Sequence, residues 1–346
     1  MWSLPRLAIV VAGALLASCS PLSVSPRLGE PAALQGPSLT GPTVYAFSPE
    51  KALVASYTSD APAAKPASVL EGSKTQLSVG NGMAVGADGT LYVVVQATGS
   101  SGTAMKLLVF RPGARGNVAP ERTAWLKGPI LPGYAVGLEL DGHGNFWLSA
   151  IAKLLRYPTS AHGSARPNAS IVAQLATPDG LMAANCNNVA LDSTGNIYGA
   201  CGVTYRGAHA SGVSEYALVA RKKAKLVRTF YDLELPEVAP SSIAIDDAGT
   251  IYLASNLPNS GVFAYRPSMK SGDVRYTRRF TGPSRTIISS IVTDSSGNVY
   301  VAVGSRIMVF GPKANGQARP IRSIRDPKHL DYTTNDYGTL LNASLQ

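Results

Sequence analysis

The sequence predicts an all-β fold built from repeated units, and three observations support this. The chain of 346 residues has 34 glycines and 24 prolines, and its 15 tyrosines outnumber phenylalanine and tryptophan together. This composition favours many short strands and tight turns. A phrase of two apolar runs around an Asp/Gly turn also recurs at nearly even intervals, and the two chain ends carry incomplete repeats. Closed all-β folds of this length often form one domain.

The N-terminal segment is set aside from the fold. Residues 1–18 hold one positive charge, at Arg6, then an apolar run too short to span a bilayer stably, and then Leu16-Ala17-Ser18-Cys19. This pattern resembles a bacterial lipoprotein signal. The resemblance implies that Cys19 becomes the lipidated N-terminus. Ser20, next to it, resembles the residue found at this position in lipoproteins that are sorted to the outer membrane of a double-membrane bacterium. The alternative is an ordinary cleaved signal peptide with a chance cysteine.

Residues 19–42 are predicted to be a flexible tether, because Pro, Ser and Gly occur there without periodicity. A tether of this length has a mean reach of about 25 Å. No later apolar stretch is long enough to cross a membrane. We therefore expect a globular domain, residues 43–346, held near a membrane surface.

The recurring phrase predicts a β-hairpin, in which Asp accepts backbone hydrogen bonds and Gly adopts a left-handed conformation. Its copies are "GMAVGADGTLYVVV" (82–95), "GLELDGHGNFWLSA" (137–150), "NVALDSTGNIYGAC" (188–201), "SIAIDDAGTIYLAS" (242–255) and "SIVTDSSGNVYVAV" (290–303). The turn glycines are spaced 55, 51, 54 and 48 residues apart, which is typical of a repeat architecture. We interpret Asp141, Asp192, Asp246 and Asp294 as turn residues rather than catalytic groups.

Two further strands follow each hairpin. The third often ends in an aromatic residue near Pro, as in "LLVFRP" (107–112) and "IMVFGP" (307–312), and the fourth is more basic, as in "VRYTRRF" (274–280). Four strands per repeat predict the blade of a β-propeller. The sequence thus predicts a six-bladed β-propeller with four-stranded antiparallel blades.

The chain ends are expected to share the sixth blade and close the ring. "TVYAFSP" (43–49) matches a third strand and "PASVLEG" (66–72) a fourth, with no hairpin before them. "LDYTTNDYGTLLNAS" (330–344) resembles a degraded hairpin with Asn335 and Gly338 in its turn. We therefore expect two strands from each end.

The repeats resemble the NHL-type β-propeller repeats of bacterial secreted proteins. The resemblance is carried by an aromatic residue close to Pro, then "ANGQARPIRSI" or "ARGNVAPERTA", then "DSSGNVYVA", and it covers roughly residues 43–345. It implies a fold rather than a function, since one fold hosts many functions.

Cys186 and Cys201 are predicted to form a structural disulfide. They lie equally far from the centre of the Asp192–Gly195 turn, so an antiparallel hairpin places them opposite each other. Export makes oxidation plausible. The alternative is two buried free thiols, and the chain has no Cys-x-x-Cys spacing that would indicate redox chemistry.

A ring of small and polar residues is expected at one mouth of the central channel. The fourth position before each turn begins the strand that lines the channel in NHL-type propellers. These residues are Gly82, Gly137, Asn188, Ser242, Ser290 and, in the degraded repeat, Asp331. They are candidate binding residues, and the alternative is that small side chains are required where six strands crowd an axis.

Glu139 is the strongest single candidate for function, because it is the one charged residue within these inner strands. The other repeats have Ala84, Ala190, Ala244, Val292 and Thr333 in its place. A buried carboxylate needs a partner or an ion. Gluconolactonase and regucalcin-like propellers bind a divalent cation through Glu, Asn and Asp, so Glu139, Asn188 and Asp331 would suit a Ca²⁺ site in composition.

Other catalytic patterns are missing from the sequence. The four histidines lack metal-ligand spacing, and no nucleophile elbow or phosphate-binding loop occurs. We therefore expect no cofactor. The net charge is +10, and the basic runs at 220–228, 275–280 and 319–325 are interpreted as edge strands protected from strand addition. The alternative is attraction to an anionic surface.

The favoured function is a lipid-anchored binding or interaction module of the cell envelope, in the outer membrane and monomeric. Its partner would be an envelope protein, a glycan or a small molecule. Nucleic acid is not expected as a partner of an exported protein, and no interleaved aromatic and basic motif supports it. The alternative is a metal-dependent hydrolase or lyase of the gluconolactonase type with its site at the channel.

Overall fold

The computed structural model describes residues 43–58, 65–99, 102–130, 137–150, 152–220, 223–233, 235, 240–255, 261–281, 288–331 and 340–344. The predicted signal peptide and tether lie outside this range. Within it, no helix is long and apolar enough to cross a membrane.

Twenty-nine strands and one turn of 3₁₀ helix, Ser73–Thr75, make up these residues. The first ten strands are β1 (Thr43–Ser48), β2 (Leu53–Thr58), β3 (Ser68–Glu71), β4 (Gly80–Val85), β5 (Leu91–Gly99), β6 (Gly102–Phe110), β7 (Arg122–Leu126), β8 (Leu138–Leu140), β9 (Asn145–Ala150) and β10 (Lys153–Pro158). The next ten are β11 (Gly163–Ala165), β12 (Ala169–Val172), β13 (Gln174–Thr177), β14 (Gly180–Ala183), β15 (Asn185–Leu191), β16 (Ile197–Tyr205), β17 (Ala208–Ala220), β18 (Lys223–Asp232), β19 (Ser242–Ile245) and β20 (Ile251–Ser255). The last nine are β21 (Gly261–Tyr265), β22 (Gly272–Asp273), β23 (Arg278–Thr281), β24 (Ile288–Thr293), β25 (Val299–Val303), β26 (Arg306–Phe310), β27 (Gly316–Gln317), β28 (Arg322–Arg325) and β29 (Leu340–Ser344).

Six antiparallel blades form from these strands, which confirms the predicted six-bladed β-propeller. From the innermost strand outward, blade 1 is β4-β5-β6-β7, blade 2 is β8-β9-β10-β12, blade 3 is β15-β16-β17-β18, blade 4 is β19-β20-β21-β23, blade 5 is β24-β25-β26-β28 and blade 6 is β29-β1-β2-β3. The six innermost strands contact one another in a closed ring. They surround the central channel.

The two chain ends share blade 6, as expected, but the division of its strands differs from the prediction. One strand, β29, comes from the C-terminal end and three come from the N-terminal end. Strand β1 pairs with β29 on one side and with β2 on the other. The expectation of two strands from each end was wrong because β1 and β2 lack the Asp/Gly turn that marks the hairpin elsewhere. The turn predicted around Asn335 and Gly338 lies outside the described residues.

Short parallel strands, which we call clasp strands, join successive blades at their outer edges. Strand β11 of blade 2 pairs with β7 of blade 1, β22 of blade 4 with β18 of blade 3, and β27 of blade 5 with β23 of blade 4. In blade 1, Gly116 forms the equivalent single bridge to Leu70 of blade 6. In the sequence, each clasp strand comes between the third and fourth strands of its own blade, although it pairs with the preceding blade. Three blades are therefore five-stranded sheets rather than the predicted four-stranded ones.

Arginines of the fourth strands add a second link between blades. Arg122 donates to the carbonyl of Thr159 in the next blade at 2.6 Å, and Arg322 donates to that of Thr58 at 2.8 Å. Arg278 donates in the same way to the carbonyls of Pro312 and Ala314. The basic character of the fourth strands therefore has a structural use that the sequence interpretation missed.

The hydrophobic core lies between blades, as six clusters, one at each interface. Aromatic side chains meet there, such as Phe280 of blade 4 and Phe310 of blade 5, whose ring centroids are 5.1 Å apart. Each fully buried side chain of this size contributes about 2 kcal/mol through the hydrophobic effect. The stability of a blade therefore depends on both of its neighbours.

One hairpin is inserted between blades 2 and 3. Strands β13 and β14 pair only with each other, and they are held on blade 3 by side chains such as Tyr216, whose hydroxyl accepts from the Gln174 nitrogen at 2.9 Å. An exposed ion pair from Asp179 to Arg206 ties the turn of this hairpin to the β16–β17 turn at 2.7 Å. The sequence interpretation contains no strand in this region.

Candidate functional site

The recurring aspartates are turn residues, as the sequence predicts. Asp192 Oδ1 accepts hydrogen bonds from the backbone nitrogens of Thr194 and Asn196, at 2.9 and 3.0 Å. Its Oδ2 accepts one from the Tyr198 hydroxyl at 2.9 Å. The same Asp–Tyr bond recurs in blades 4 and 5, between Asp246 and Tyr252 and between Asp294 and Tyr300. These carboxylates stabilise the hairpins, and their oxygens are engaged in hydrogen bonds within the same hairpin.

The predicted disulfide joins Cys186 and Cys201, which lie opposite each other with a Cα–Cα distance of 3.9 Å. The hairpin register pairs Leu191 with Ile197, and continued without interruption it would set Cys186 opposite Gly202. A β-bulge at Asn187 corrects the register by one residue. The prediction was right, although it depended on a bulge that the sequence does not reveal. Both cysteines are buried.

Residues at the predicted ring position connect neighbouring inner strands. The Ser242 hydroxyl accepts a hydrogen bond from the Ile291 nitrogen at 3.1 Å, and the Ser290 hydroxyl accepts one from the Leu341 nitrogen at 3.1 Å. Asn188 donates to Ser242 Oγ at 3.4 Å. These contacts support the structural alternative, that crowding at the axis selects small and polar side chains.

The two glycines of this ring also lie where crowding at the axis requires small residues. A Cβ at Gly82 would lie 2.9 Å from the Leu138 Cβ, and one at Gly137 would lie 2.5 Å from Asn188 Oδ1. Inner strands therefore approach more closely here than a side chain would allow. These two positions serve packing.

The sixth member of the ring is Leu340 rather than Asp331. Leu341 donates to Ser290 as Ile291 donates to Ser242, so Leu340 takes the place of Ser290 in its own strand. Asp331 lies near the β1–β2 turn, where its Oδ2 accepts from the Glu50 nitrogen at 3.3 Å. Its side chain is buried, and this burial raises its pKa to about 6. The structure therefore separates Asp331 from Glu139 and Asn188.

A narrow channel cavity brings together Glu139 and five of the six predicted ring residues, all except Asp331. Glu139, Asn188, Ser242 and Ser290 line a space of about 40 Å³ with other residues of the inner strands. This volume suits one or two waters. Whether these residues bind a ligand stays a prediction.

Asn342 is the polar residue that the sequence interpretation missed. By the register given above, it occupies in blade 6 the position that Glu139 occupies in blade 2. Blades 6 and 2 flank blade 1, so Glu139 and Asn342 lie on either side of Ala84 and line the same two cavities. Asn342 Oδ1 accepts from the Val85 nitrogen at 3.2 Å. Sequence alone could not find this pair, because it requires the register of β29.

A larger cleft of about 520 Å³ opens between blades 1 and 2 and reaches the channel wall at Glu139 and Asn342. Its other lining residues are Ala84, Val85, Gly86, Ala87, Asp88, Tyr92, Leu140, Gly142, Gly144, Asn145 and Thr159. A space of this size accommodates a small molecule. We call it the blade 1–2 cleft.

The cleft lies where the repeat departs from its own pattern. Gly86 replaces the turn Asp of blades 2 to 5, so the Tyr92 hydroxyl has no counterpart of the Asp–Tyr bond. In blade 2, Trp147 replaces the tyrosine, and its Nε1 is buried without a hydrogen-bond partner among the described residues. A Cβ at Gly86 would lie 2.6 Å from Asp88 Oδ1, so the Asp88 carboxylate lies beside the position that the turn Asp occupies in the other repeats.

The electrostatics of the cleft are those of an acidic site on a basic protein. Desolvation raises the pKa of Glu139 to about 7, although the residue keeps partial solvent contact. Hydrogen bonds from the Thr90 backbone and hydroxyl lower the pKa of Asp88, which is ionised at neutral pH. No lysine, arginine or histidine is among the described residues that line the cleft.

Three comparisons place the chain among known proteins. A family model described as a beta-propeller repeat matches residues 275–302, which run from the fourth strand of blade 4 into the hairpin of blade 5. A search of the curated proteins found no match. The family-model match and the fold support a β-propeller repeat protein, and the NHL type stays a prediction.

Solved structures with a similar fold include a protein of unknown function from Bacteroides caccae, with a TM-score of 0.53 and 11% identity over 88% of this chain and 99% of that one. They also include a gluconolactonase from Xanthomonas campestris, with a TM-score of 0.45 and 13% identity over 73% and 77% of the two chains. A luciferin-regenerating enzyme matches with a TM-score of 0.44 and 17% identity over 72% and 77%. At 11% identity, the match to the Bacteroides caccae protein supports the fold alone.

Proposed function

We propose that the protein is an exported, lipid-anchored propeller that binds a small polar molecule in the blade 1–2 cleft. The observation that carries this proposal is the position of Glu139 at the inner end of a cleft of about 520 Å³. Its carboxylate has no hydrogen-bond or ion-pair partner among the described residues, while the turn aspartates of blades 3 to 5 are occupied. A partly buried carboxylate without a partner is costly unless a ligand or water satisfies it.

Ligand-observed NMR with a library of small neutral, anionic and cationic polar compounds tests this function. Ala87 is exposed at the rim of the cleft, so Ala87→Trp should fill it without altering the charge. Ala248→Trp, in the corresponding turn of blade 4, is the matched control. We expect at least one compound to bind the wild type and the control but not Ala87→Trp. Equal binding by all three proteins, or binding by none, would refute the cleft as a site.

The lipid anchor is part of the same proposal and has its own test. It rests on the Leu16-Ala17-Ser18-Cys19 sequence after a short apolar run. Mass spectrometry of the protein made in a double-membrane bacterium should find an acylated N-terminus at Cys19, and Cys19→Ser should abolish acylation. An unmodified N-terminus, or cleavage at another bond, contradicts the anchor.

A metal-dependent hydrolase or lyase is the second candidate, and the position of Glu139 in the channel favours it. A carboxyl group with a pKa of about 7 can exchange a proton at neutral pH. Calorimetric titration of wild type and Glu139→Ala with calcium separates the two functions. If wild type alone binds one calcium ion tightly, the result supports the metal-dependent enzyme. If neither protein binds calcium, the result favours the binding module.

A further inference from the structure

We propose that the ligand of the blade 1–2 cleft is a small organic cation, a compound with an amine or quaternary ammonium group. This inference rests on the proposed function and names its ligand class. It follows from the charges, the size and the aromatic content of the cleft, which each exclude or favour a class of ligand.

The charges of the lining favour a cationic ligand over an anionic one. Asp88 and Glu139 are the ionisable carboxyl groups of the cleft, and its described lining offers no cationic side chain. Arg122, outside the lining, lowers the pKa of Tyr92 by its charge and donates to the Thr159 carbonyl at 2.6 Å. An anion would therefore face two carboxylates against the single positive charge of Arg122, whereas a cation would be attracted by both carboxylates.

The size and composition of the cleft disfavour a bare metal ion. Calcium takes six to eight oxygen ligands at about 2.3–2.6 Å. No group of three or more acidic, histidine or cysteine side chains that could hold a metal occurs among the described residues. The volume of about 520 Å³ suits a molecule of several non-hydrogen atoms.

The remaining polar groups suit an ammonium ligand with a polar tail. Tyr92 contributes an aromatic ring, and cations bind to the faces of such rings. Asn342 Oδ1 accepts from Val85, and its Nδ2 could donate to a hydroxyl or carbonyl group of the ligand. The ammonium group would lie at Glu139 and the tail would extend toward Asp88 and Gly142.

Calorimetry with choline, and with its uncharged isostere 3,3-dimethylbutan-1-ol, tests the inference at pH 8. Wild type should bind choline, and Glu139→Gln, which keeps the size of the side chain, should weaken this binding by about 10–100-fold, as expected for loss of one charged contact. The isostere should bind weakly to both proteins. Asp247→Asn, an equal charge change at the exposed equivalent of Ala87 in blade 4, should leave choline affinity unchanged.

Each contrary outcome has a distinct meaning. Equal affinity for choline and its isostere, or equal choline affinity in wild type and Glu139→Gln, overturns the cationic ligand. Binding of a neutral or anionic compound in a manner that Ala87→Trp abolishes, with no binding of choline or other amines from the NMR library, keeps the cleft as a site and overturns only the ligand class. The two proposals therefore fail separately.

Discussion

The Asn342 side chain on the last strand accepts a hydrogen bond from the Val85 nitrogen on the first complete blade, at 3.2 Å. On its other side, β29 donates from Leu341 to the Ser290 hydroxyl. One strand of five described residues thus completes the ring between blades 5 and 1 while it pairs with β1 inside blade 6. The ring depends on this strand.

A chain that ends at Asp331 should lose most of its stability. It lacks the ladder to β1 and the burial of Leu341, which together contribute about 5 kcal/mol or more. Thermal melting and size-exclusion chromatography should show a much lower Tm and aggregation. A chain that lacks only Leu345 and Gln346 is the control and should behave as wild type. An unchanged Tm in the longer truncation would contradict the closed ring.

The double variant Cys186→Ala/Cys201→Ala should be destabilised by about 3 kcal/mol, the value expected for a disulfide that closes a loop of this length. Urea unfolding with and without a reducing agent measures this difference. The reducing agent should lower the stability of wild type and leave the variant unchanged. Two reactive thiols in the unreduced, unfolded wild type would show that the bond does not form.

Tyr252→Phe should cost about 1–2 kcal/mol, because it removes the hydroxyl that bonds Asp246 Oδ2 at 2.9 Å and leaves the carboxylate with one partner fewer. Tyr92→Phe is the matched control, since Gly86 stands where blades 2 to 5 have Asp and the Tyr92 hydroxyl has the neutral Thr159 side chain as its hydrogen-bond partner. It should cost less. Urea denaturation of both variants checks the order, and a larger loss for Tyr92→Phe would contradict the Asp–Tyr bond as a blade-stabilising unit.

Glu139 should make the protein less stable as the pH rises from about 4.5 to 7. Burial raises the pKa of this carboxyl from 4.5 to about 7, so the native state holds a proton that the unfolded state has released. The penalty is absent below pH 4.5, grows through this interval and is complete above pH 7. A shift of this size corresponds to about 3 kcal/mol as an upper bound.

Glu139→Gln should therefore be more stable than wild type at pH 8 and equal to it at pH 4. Urea denaturation across this pH range measures the difference, and Glu121→Gln on an exposed loop is the control. Asp331, whose pKa burial raises to about 6, contributes in the same direction in both proteins. A constant difference between variant and wild type at all pH values would refute the raised pKa.

The repeat could be predicted from the sequence because its turns require particular residue types at fixed positions. In each turn the Asp, such as Asp192, accepts backbone hydrogen bonds and the Gly, such as Gly195, adopts a left-handed conformation, so the spacing of these two residues predicted the hairpins, the number of blades and the role of the aspartates. The sharing of one blade by the two ends followed from the incomplete repeats. Local patterns of this kind need no knowledge of distant contacts.

The parts that failed depend on contacts between distant segments. Strand β29 carries no Asp/Gly turn within its described residues, so its register had to come from its bonds to Ser290 and Val85. That register moved the sixth ring position from Asp331 to Leu340 and revealed Asn342 beside Glu139. The bulge at Asn187 also could not be predicted from the sequence, where no residue pattern marks it.

The clasp strands also determine how such a protein could change in evolution. Each clasp strand covers the edge of the preceding blade with two or three residues that begin at a glycine, as at Gly163, Gly272 and Gly316. Because these residues pair with backbone rather than side chains, exchange of one blade for another would preserve the clasp, and the apolar interfaces between blades would be the part that has to match. Gene duplication or loss of a single repeat would then yield rings with a different number of blades. The close packing of the inner strands around the channel, and not the clasp contacts at the outer edges, would limit that number.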